Sequence, residues 1–154
     1  MSSLDSTRGF FAIGIEHGKT PQNIGTLWRS ADLLGAQFIF TVGARYHAQS
    51  ADTMKSWKNI PLFHYLTIDD LVDHLPNDCQ LVGVELDPTA RPLETFCHPN
   101  RCCYLLGAED HGLTKEALNR SHLLVQLPGR FSMNVASAGT VVMYDRHLKA
   151  EVCL

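Results

Sequence analysis

Apolar residues in this chain come in short unbroken runs, at 10–15, 38–42, 61–66, 80–86, 103–106 and 123–127. Runs of this length, rich in Val, Ile, Leu and Phe, predict strands buried on both faces. Between the runs the spacing changes. Leu27, Ala31 and Leu34 fall on one face of a helix over 26–34, and Gly35 supplies its stop. Thr67-Ile68-Asp69-Asp70 has capping-box spacing with Asp in place of Glu, and opens a helix through Leu75 that Pro76 ends. Thr114 caps a short helix through Asn119, and Ser132 or Asn134 caps a last helix through about Ala150. Residues 43–61 are polar and irregular, with a helical turn expected at 50–57. Residues 87–100 hold Pro88, Pro92 and Pro99 and read as loop.

The first strand, helix and second strand form a βαβ unit, which calls for a right-handed crossover and parallel pairing. The expectation is one α/β domain over residues 1–154, with a mostly parallel six-stranded sheet and helices on both faces.

Composition narrows the class. A chain of 154 residues with 45% hydrophobic and 19% charged residues is long enough to bury a core. No apolar run approaches the roughly 20 residues of a membrane span. The first residues lack a basic segment followed by an apolar one, so no secretory leader is read. Five cysteines, two of them adjacent and none in a Cys-x-x-Cys pair, argue against disulfides or zinc and for a reducing, cytoplasmic setting. The histidines are scattered, and no metal is expected. The net charge of −3 is unevenly spread: residues 61–100 carry Arg91 alone against seven acids, leaving basic groups at both ends. Such ends can assemble a local patch for a polyanion.

In open α/β sheets a ligand sits beyond the carboxyl ends of the strands. Four of those ends carry polar or glycine residues: Asn23 and Arg29 after the first, Gly83 and Glu85 on the fourth, Gly107 and Glu109 after the fifth, Ser132 and Asn134 after the sixth. No dinucleotide or P-loop glycine pattern follows the first strand, so a small ligand held by main chain from several loops fits better. The stretch 127–139 breaks at Pro128-Gly129 and continues into Ala136, Ser137, Ala138 and Gly139, small residues that let another backbone approach. Taken singly, each polar residue has an ordinary explanation. Arg29 could pair with Asp32, Asn23 could cap a helix, and Glu109 could be a solvated loop acid.

Taken together, three segments resemble a family. Asn23-x-Gly25-x-x-x-Arg29-x-Ala31, Gly107-x-Glu109-x-x-Gly112-Leu113 and Ser132-Met133-Asn134-Val135-Ala136-x-Ala138 are similar to the three motifs of TrmH-like (SpoU) RNA 2′-O-ribose methyltransferases, in order and spacing. The resemblance runs from about Phe11 to His147. It implies a C-terminal trefoil knot, a homodimer, and S-adenosyl-L-methionine held by Gly83, Val84, Gly107, Leu127, Ser132 and Met133, mostly through main chain. It also implies an RNA substrate, tRNA rather than rRNA for a chain of this size, with Arg29, Asn23, Glu109 and Asn134 carrying the catalysis. Arginine holds its proton too firmly to serve as a base, so Arg29 is read as a phosphate clamp that orients the ribose hydroxyl. Tyr46, Trp57, Arg45 and Lys58 could stack on or contact RNA. Met143 and Tyr144 read as core or dimer contacts. The alternative is a catalytically silent RNA-binding dimer of the same fold.

Overall fold

The structure is a computed structural model that describes residues 9–46, 58–129 and 133–150. The expected turn at 50–57, with Trp57, and the cofactor candidate Ser132 lie outside them.

Seven strands form one sheet: β1 (Phe10–Glu16), β2 (Ile39–Val42), β3 (Leu62–Tyr65), β4 (Gln80–Val84), β5 (Arg91–Pro92), β6 (Arg101–Leu106) and β7 (Leu123–Gln126). Their order is β3-β2-β1-β6-β4-β7-β5, and every neighbouring pair is parallel. The count corrects the expected six. β5 lies in the segment read as loop, pairs Arg91 with Val125 and Pro92 with Gln126, and exposes both its residues. An edge strand of two exposed residues carries no apolar signal; its pairing alone makes it a strand.

The described residues also form four α-helices, α1 (Pro21–Leu34), α2 (Ile68–Asp73), α3 (Lys115–Arg120) and α4 (Val135–Lys149), and a 3-10 turn at Leu93–Thr95. α1 starts five residues earlier than its apolar face announces. Pro21 is suited to a first helical turn, and Ile24 extends the buried stripe. Gly35, at φ 90°, closes α1 with its N–H directed to the Ala31 carbonyl. The hydroxyls of Thr67 and Thr114 accept from Asp70 and Ala117 N–H, both at 3.1 Å, so both sequence caps form. Asp70 reaches back one residue further than a capping box requires, to Leu66 N–H at 2.9 Å. Asn134, as one of the two candidates, caps α4 by accepting from Ser137 N–H at 3.1 Å.

The helices cover both sheet faces. α1 and α4 close over Ile13, Ile15, Ile39, Tyr104 and Leu106. Ile68 and Leu71 of α2 and Ala117 of α3 pack with Phe40, Leu81 and Leu105 on the other side. The close approach expected of the small residues in α4 is real at Gly139, where a Cβ would lie 2.5 Å from Leu27 Cδ1 and 2.9 Å from Leu106 Cδ1. Met143 is buried while Tyr144 is exposed.

The far end of α4 is fastened by a buried charge. Arg146 donates to the Pro99 carbonyl at 2.7 Å, the Asn100 carbonyl at 3.0 Å and the Tyr104 hydroxyl at 3.2 Å. Its guanidinium lies over the Phe11 ring. His98 bridges the Tyr104 hydroxyl at 2.6 Å and the Asp145 carboxylate at 2.8 Å. Asp145 also pairs with Lys149. This network sits at the amino ends of the strands and leaves the carboxyl ends to the site.

Candidate active site

Beyond the carboxyl ends of β4, β6 and β7 lies a cavity of about 450 Å³, within the range of small-ligand sites. Residues 84–87 and 106–113 form two of its walls, and Leu127, Pro128, Met133, Val135 and Ala138 close it from the α4 side. Two glycines shape the inner wall. Ala108 and Gly112 exchange main-chain hydrogen bonds at 3.2 and 3.0 Å, folding 108–112 back on itself. A Cβ on Gly107 would then lie 2.2 Å from the Gly112 carbonyl carbon. Gly112 stands at φ 66°, and a Cβ there would meet Glu85 Oε2 at 2.2 Å. Backbone atoms cannot give way as a flexible side chain can, so the Gly107 turn excludes any larger residue. The Glu85 carboxylate accepts from Leu113 N–H at 2.7 Å and Leu86 N–H at 2.9 Å, tying the β4 end to this loop.

At the rim, three of the residues singled out by sequence meet. Glu109 accepts from the Asn23 amide at 3.0 Å and from the main-chain N–H groups of Lys19 at 3.1 Å and Thr20 at 3.3 Å. Asn23 in turn accepts from the Asn134 amide at 3.1 Å. One chain of hydrogen bonds thus links the loop before α1, the 107–113 loop and the start of α4. Partial desolvation works against the Glu109 charge, but the bonds from Asn23, Lys19 and Thr20 outweigh it and hold the carboxyl below its ordinary value. Lys19 also forms an ion pair with Asp110.

Two supports went unnoticed in the sequence. Glu16 is buried at the end of β1 and accepts from the N–H and hydroxyl of Thr114 at 2.9 and 2.8 Å, anchoring the start of α3. A lone acid closing an otherwise apolar strand is the signal that could have found it. The main chain of Lys19 and Thr20 leaves no trace in residue type.

Of the cofactor candidates, Val84, Gly107, Leu127 and Met133 line the cavity. Gly83 does not. It faces the α3 side, where a Cβ would lie 2.7 Å from Leu124 Cδ2 and 2.9 Å from Ser121 Oγ. Arg29 is exposed on α1, is not among the residues that line the cavity, and takes no part in the Asn23–Glu109–Asn134 hydrogen bonds. It is not paired with Asp32, whose carboxylate accepts from Asn59 at 2.7 Å. Tyr46 packs edge-on against Trp28, with ring centroids 5.9 Å apart, so at least one face of the pair is taken up in the fold.

Known proteins are similar to this chain in sequence and in fold. A tRNA (guanosine(18)-2′-O)-methyltransferase of Escherichia coli strain K12 is 27% identical over 139 residues, covering 85% of this chain and 60% of its own length. The chain therefore spans somewhat less than two thirds of that relative's length. An AdoMet-bound rRNA methyltransferase from Sinorhizobium meliloti superposes with a TM-score of 0.81 at 24% identity, over 91% of this chain and 56% of that one. A structure concerned with 2-OH methylation of C/U34 on tRNA matches with a TM-score of 0.77 at 20% identity, over 91% of this chain and 95% of that one. The model of the SpoU rRNA Methylase family matches residues 11–144, and the chain belongs to that family.

Proposed function

We propose that this protein transfers a methyl group from S-adenosyl-L-methionine to the 2′-hydroxyl of a ribose in structured RNA, tRNA in preference to rRNA. The observation that carries the reading is the pairing of two features at one end of the sheet: the glycine-shaped cavity, and the Glu109–Asn23–Asn134 chain at its rim. The cavity offers main-chain edges from 84–87 and 107–113 beside apolar walls from Leu106, Leu113, Leu118 and Val135. That donor set suits a nucleoside with an amino-acid tail, and Val84, Gly107, Leu127 and Met133 are the residues that would hold it. Bound there, S-adenosyl-L-methionine supplies an electrophilic methyl group.

The chain's own residues align the acceptor, because a ribose hydroxyl is a weak nucleophile that reacts only when held in line. Asn134 and Asn23 present amide groups at the rim, and Glu109 fixes them by accepting from Asn23. Arg29, exposed and unpaired with Asp32, clamps a phosphate of the RNA and turns the hydroxyl toward the cavity; that phosphate takes the departing proton. Glu109, held ionised, acts as a positioning residue.

Two further features complete the reading. β4 and β5 flank β7, so residues 85–90 cross β7 near its carboxyl end, where Gln126 donates to the Ala90 carbonyl at 3.1 Å. A trefoil knot, which the resemblance to the family implies, would pass the chain between β7 and α4 through the loop made by that crossing. Val141, Tyr144 and Leu148 form an exposed apolar stripe along α4, which a second copy covers in a homodimer. No described helix is long and apolar enough to cross a membrane, and no described cluster of three metal-binding side chains exists. The cysteine usage supports a cytoplasmic setting, and the proposed transfer needs no metal.

Incubation with methyl-labelled S-adenosyl-L-methionine and unmodified tRNA, followed by digestion to nucleosides, tests the reading. Label in a 2′-O-methylated nucleoside supports it. Label on a base contradicts it, and RNA binding without transfer selects the silent dimer instead.

A further inference from the structure

The charges around the cavity have a consistent sign. Glu85, Asp87, Glu109 and Asp110 all line it, and among the described residues no lysine or arginine does. Two of these acids are engaged elsewhere: Glu109 with Asn23 and the main chain of Lys19 and Thr20, Asp110 with the Lys19 ammonium. Glu85 and Asp87 differ. Glu85 meets only main-chain N–H groups, of Leu113 and Leu86, and Asp87 meets only the N–H and hydroxyl of Thr89, at 2.8 and 2.6 Å. Those contacts use Oδ1 of Asp87. Hydrogen bonds position both carboxylates, and no described cation is paired with either one.

S-Adenosyl-L-methionine and its product, S-adenosylhomocysteine, share the adenosine, the ammonium and the carboxylate. They differ in a methyl group and in one positive charge on sulfur. Methyl transfer returns the electron pair of the broken carbon–sulfur bond to sulfur, leaving a neutral thioether, while the new carbon–oxygen bond forms and the hydroxyl proton leaves. Any uncompensated anionic group beside the site therefore attracts the substrate form of the cofactor and loses that attraction once the reaction is complete.

Resting on the cofactor reading above, we infer that Asp87 and Glu85 are specificity-determining residues that favour the sulfonium cofactor over its thioether product by charge. They select the loaded cofactor and promote release of the spent one. The apolar cavity walls do not distinguish the two forms by charge, since both carry the same nucleoside and amino-acid tail.

Calorimetric affinities of both compounds for the wild-type protein and for Asp87→Asn give the test. Asparagine keeps an oxygen for the Thr89 contacts, so the loop retains its support. A carboxylate several ångströms from a unit charge near a protein surface corresponds to about a three- to tenfold loss of S-adenosyl-L-methionine affinity, with S-adenosylhomocysteine changed by less than about twofold. Glu85→Gln shifts the same ratio in the same direction, and added salt narrows the wild-type preference. Equal losses for both compounds, or no loss in either variant while the melting temperature is unchanged, overturn the charge-selection inference alone. If neither compound binds the wild-type protein, the cofactor reading itself fails, and this inference with it.

Discussion

At the scale of single residues, Glu109 joins the most parts of the site. Its two oxygens take two main-chain donors from the loop before α1 and one from Asn23 in the first turn of α1, and Asn23 passes the connection to Asn134. Replacing it by alanine removes those acceptors and frees Asn23 to turn away. Hydrogen bonds to a charged group contribute about 1.5–3 kcal/mol each. A positioning role converts that loss into a fall of about 10- to 100-fold in kcat/KM for RNA, with S-adenosyl-L-methionine affinity nearly unchanged. Glu109→Gln restores part of the rate, because its remaining oxygen still accepts from Asn23. A binding titration beside a steady-state assay separates the two effects. Sequence revealed these three residues as a group only through their motif spacing. No property of Asn23 alone says that its amide spans Glu109 and Asn134, and Arg29 is not paired with Asp32, whose carboxylate accepts from Asn59.

At the scale of elements, the chain's own pattern was readable where burial decides the structure. β1, β2, β4, β6 and β7 are apolar runs because both faces of a central parallel strand are covered. The caps at Thr67, Thr114 and Asn134 depend on one side chain and its near neighbours, so local sequence is enough to find them. Distant pairing hides the rest. β5 is a strand only because β7 lies beside it, and Gly83 faces α3 rather than the cavity because of the strand's phase. Arg146 was equally hidden: in a helix tail it reads as a surface cation, yet its side chain is buried and donates to the Pro99 and Asn100 carbonyls and the Tyr104 hydroxyl. Arg146→Ala removes three charge-assisted hydrogen bonds, while the Asn100 carbonyl keeps the Phe10 N–H and the Tyr104 hydroxyl keeps His98, so the cost is about 3–5 kcal/mol. For a chain of this length that corresponds to a fall of roughly 6–20 °C in Tm, readable by calorimetry. A change below about 2 °C would place the guanidinium in solvent.

His98, in the same network, gives that end of α4 a pH dependence. Burial pushes its imidazole below the ordinary 6.5, although Asp145 opposes the shift. The unfolded chain then takes up the proton first as pH falls. Stability from neutral His98 is complete above 6.5 and declines as pH drops from there toward the lowered folded value. Thermal melts from about pH 7.5 to 5 are expected to show a falling Tm that flattens in His98→Gln. An unchanged slope in the variant assigns the acid sensitivity to other groups.

For the whole molecule, the two ends of the sheet divide the work. The amino ends hold the Arg146 network and the carboxyl ends hold the cavity, with α4 running between them. The outer stripe of Val141, Tyr144 and Leu148 is the surface on which two copies would meet. Tyr144→Glu with Leu148→Glu is expected to halve the mass seen by sedimentation while leaving each copy folded, since neither side chain is part of the core. A wild-type protein that sediments as a monomer removes the dimer from the proposal. Overall organisation was legible to the extent that α/β alternation reveals parallel pairing. The order of the strands was not, because it is not written in any run of residues.

Single-turnover methyl transfer by Arg29→Ala, measured alongside its affinity for S-adenosyl-L-methionine, tests the proposed division between cofactor cavity and RNA clamp most directly. Arg29 stands outside the cavity on α1, so the expected result is transfer to the ribose 2′-hydroxyl lowered by about 100-fold or more, with cofactor affinity within about twofold of wild type. Transfer at the wild-type rate, or a loss of cofactor binding that accounts for the whole defect, would contradict the assignment of Arg29 and the arrangement of the site built on it.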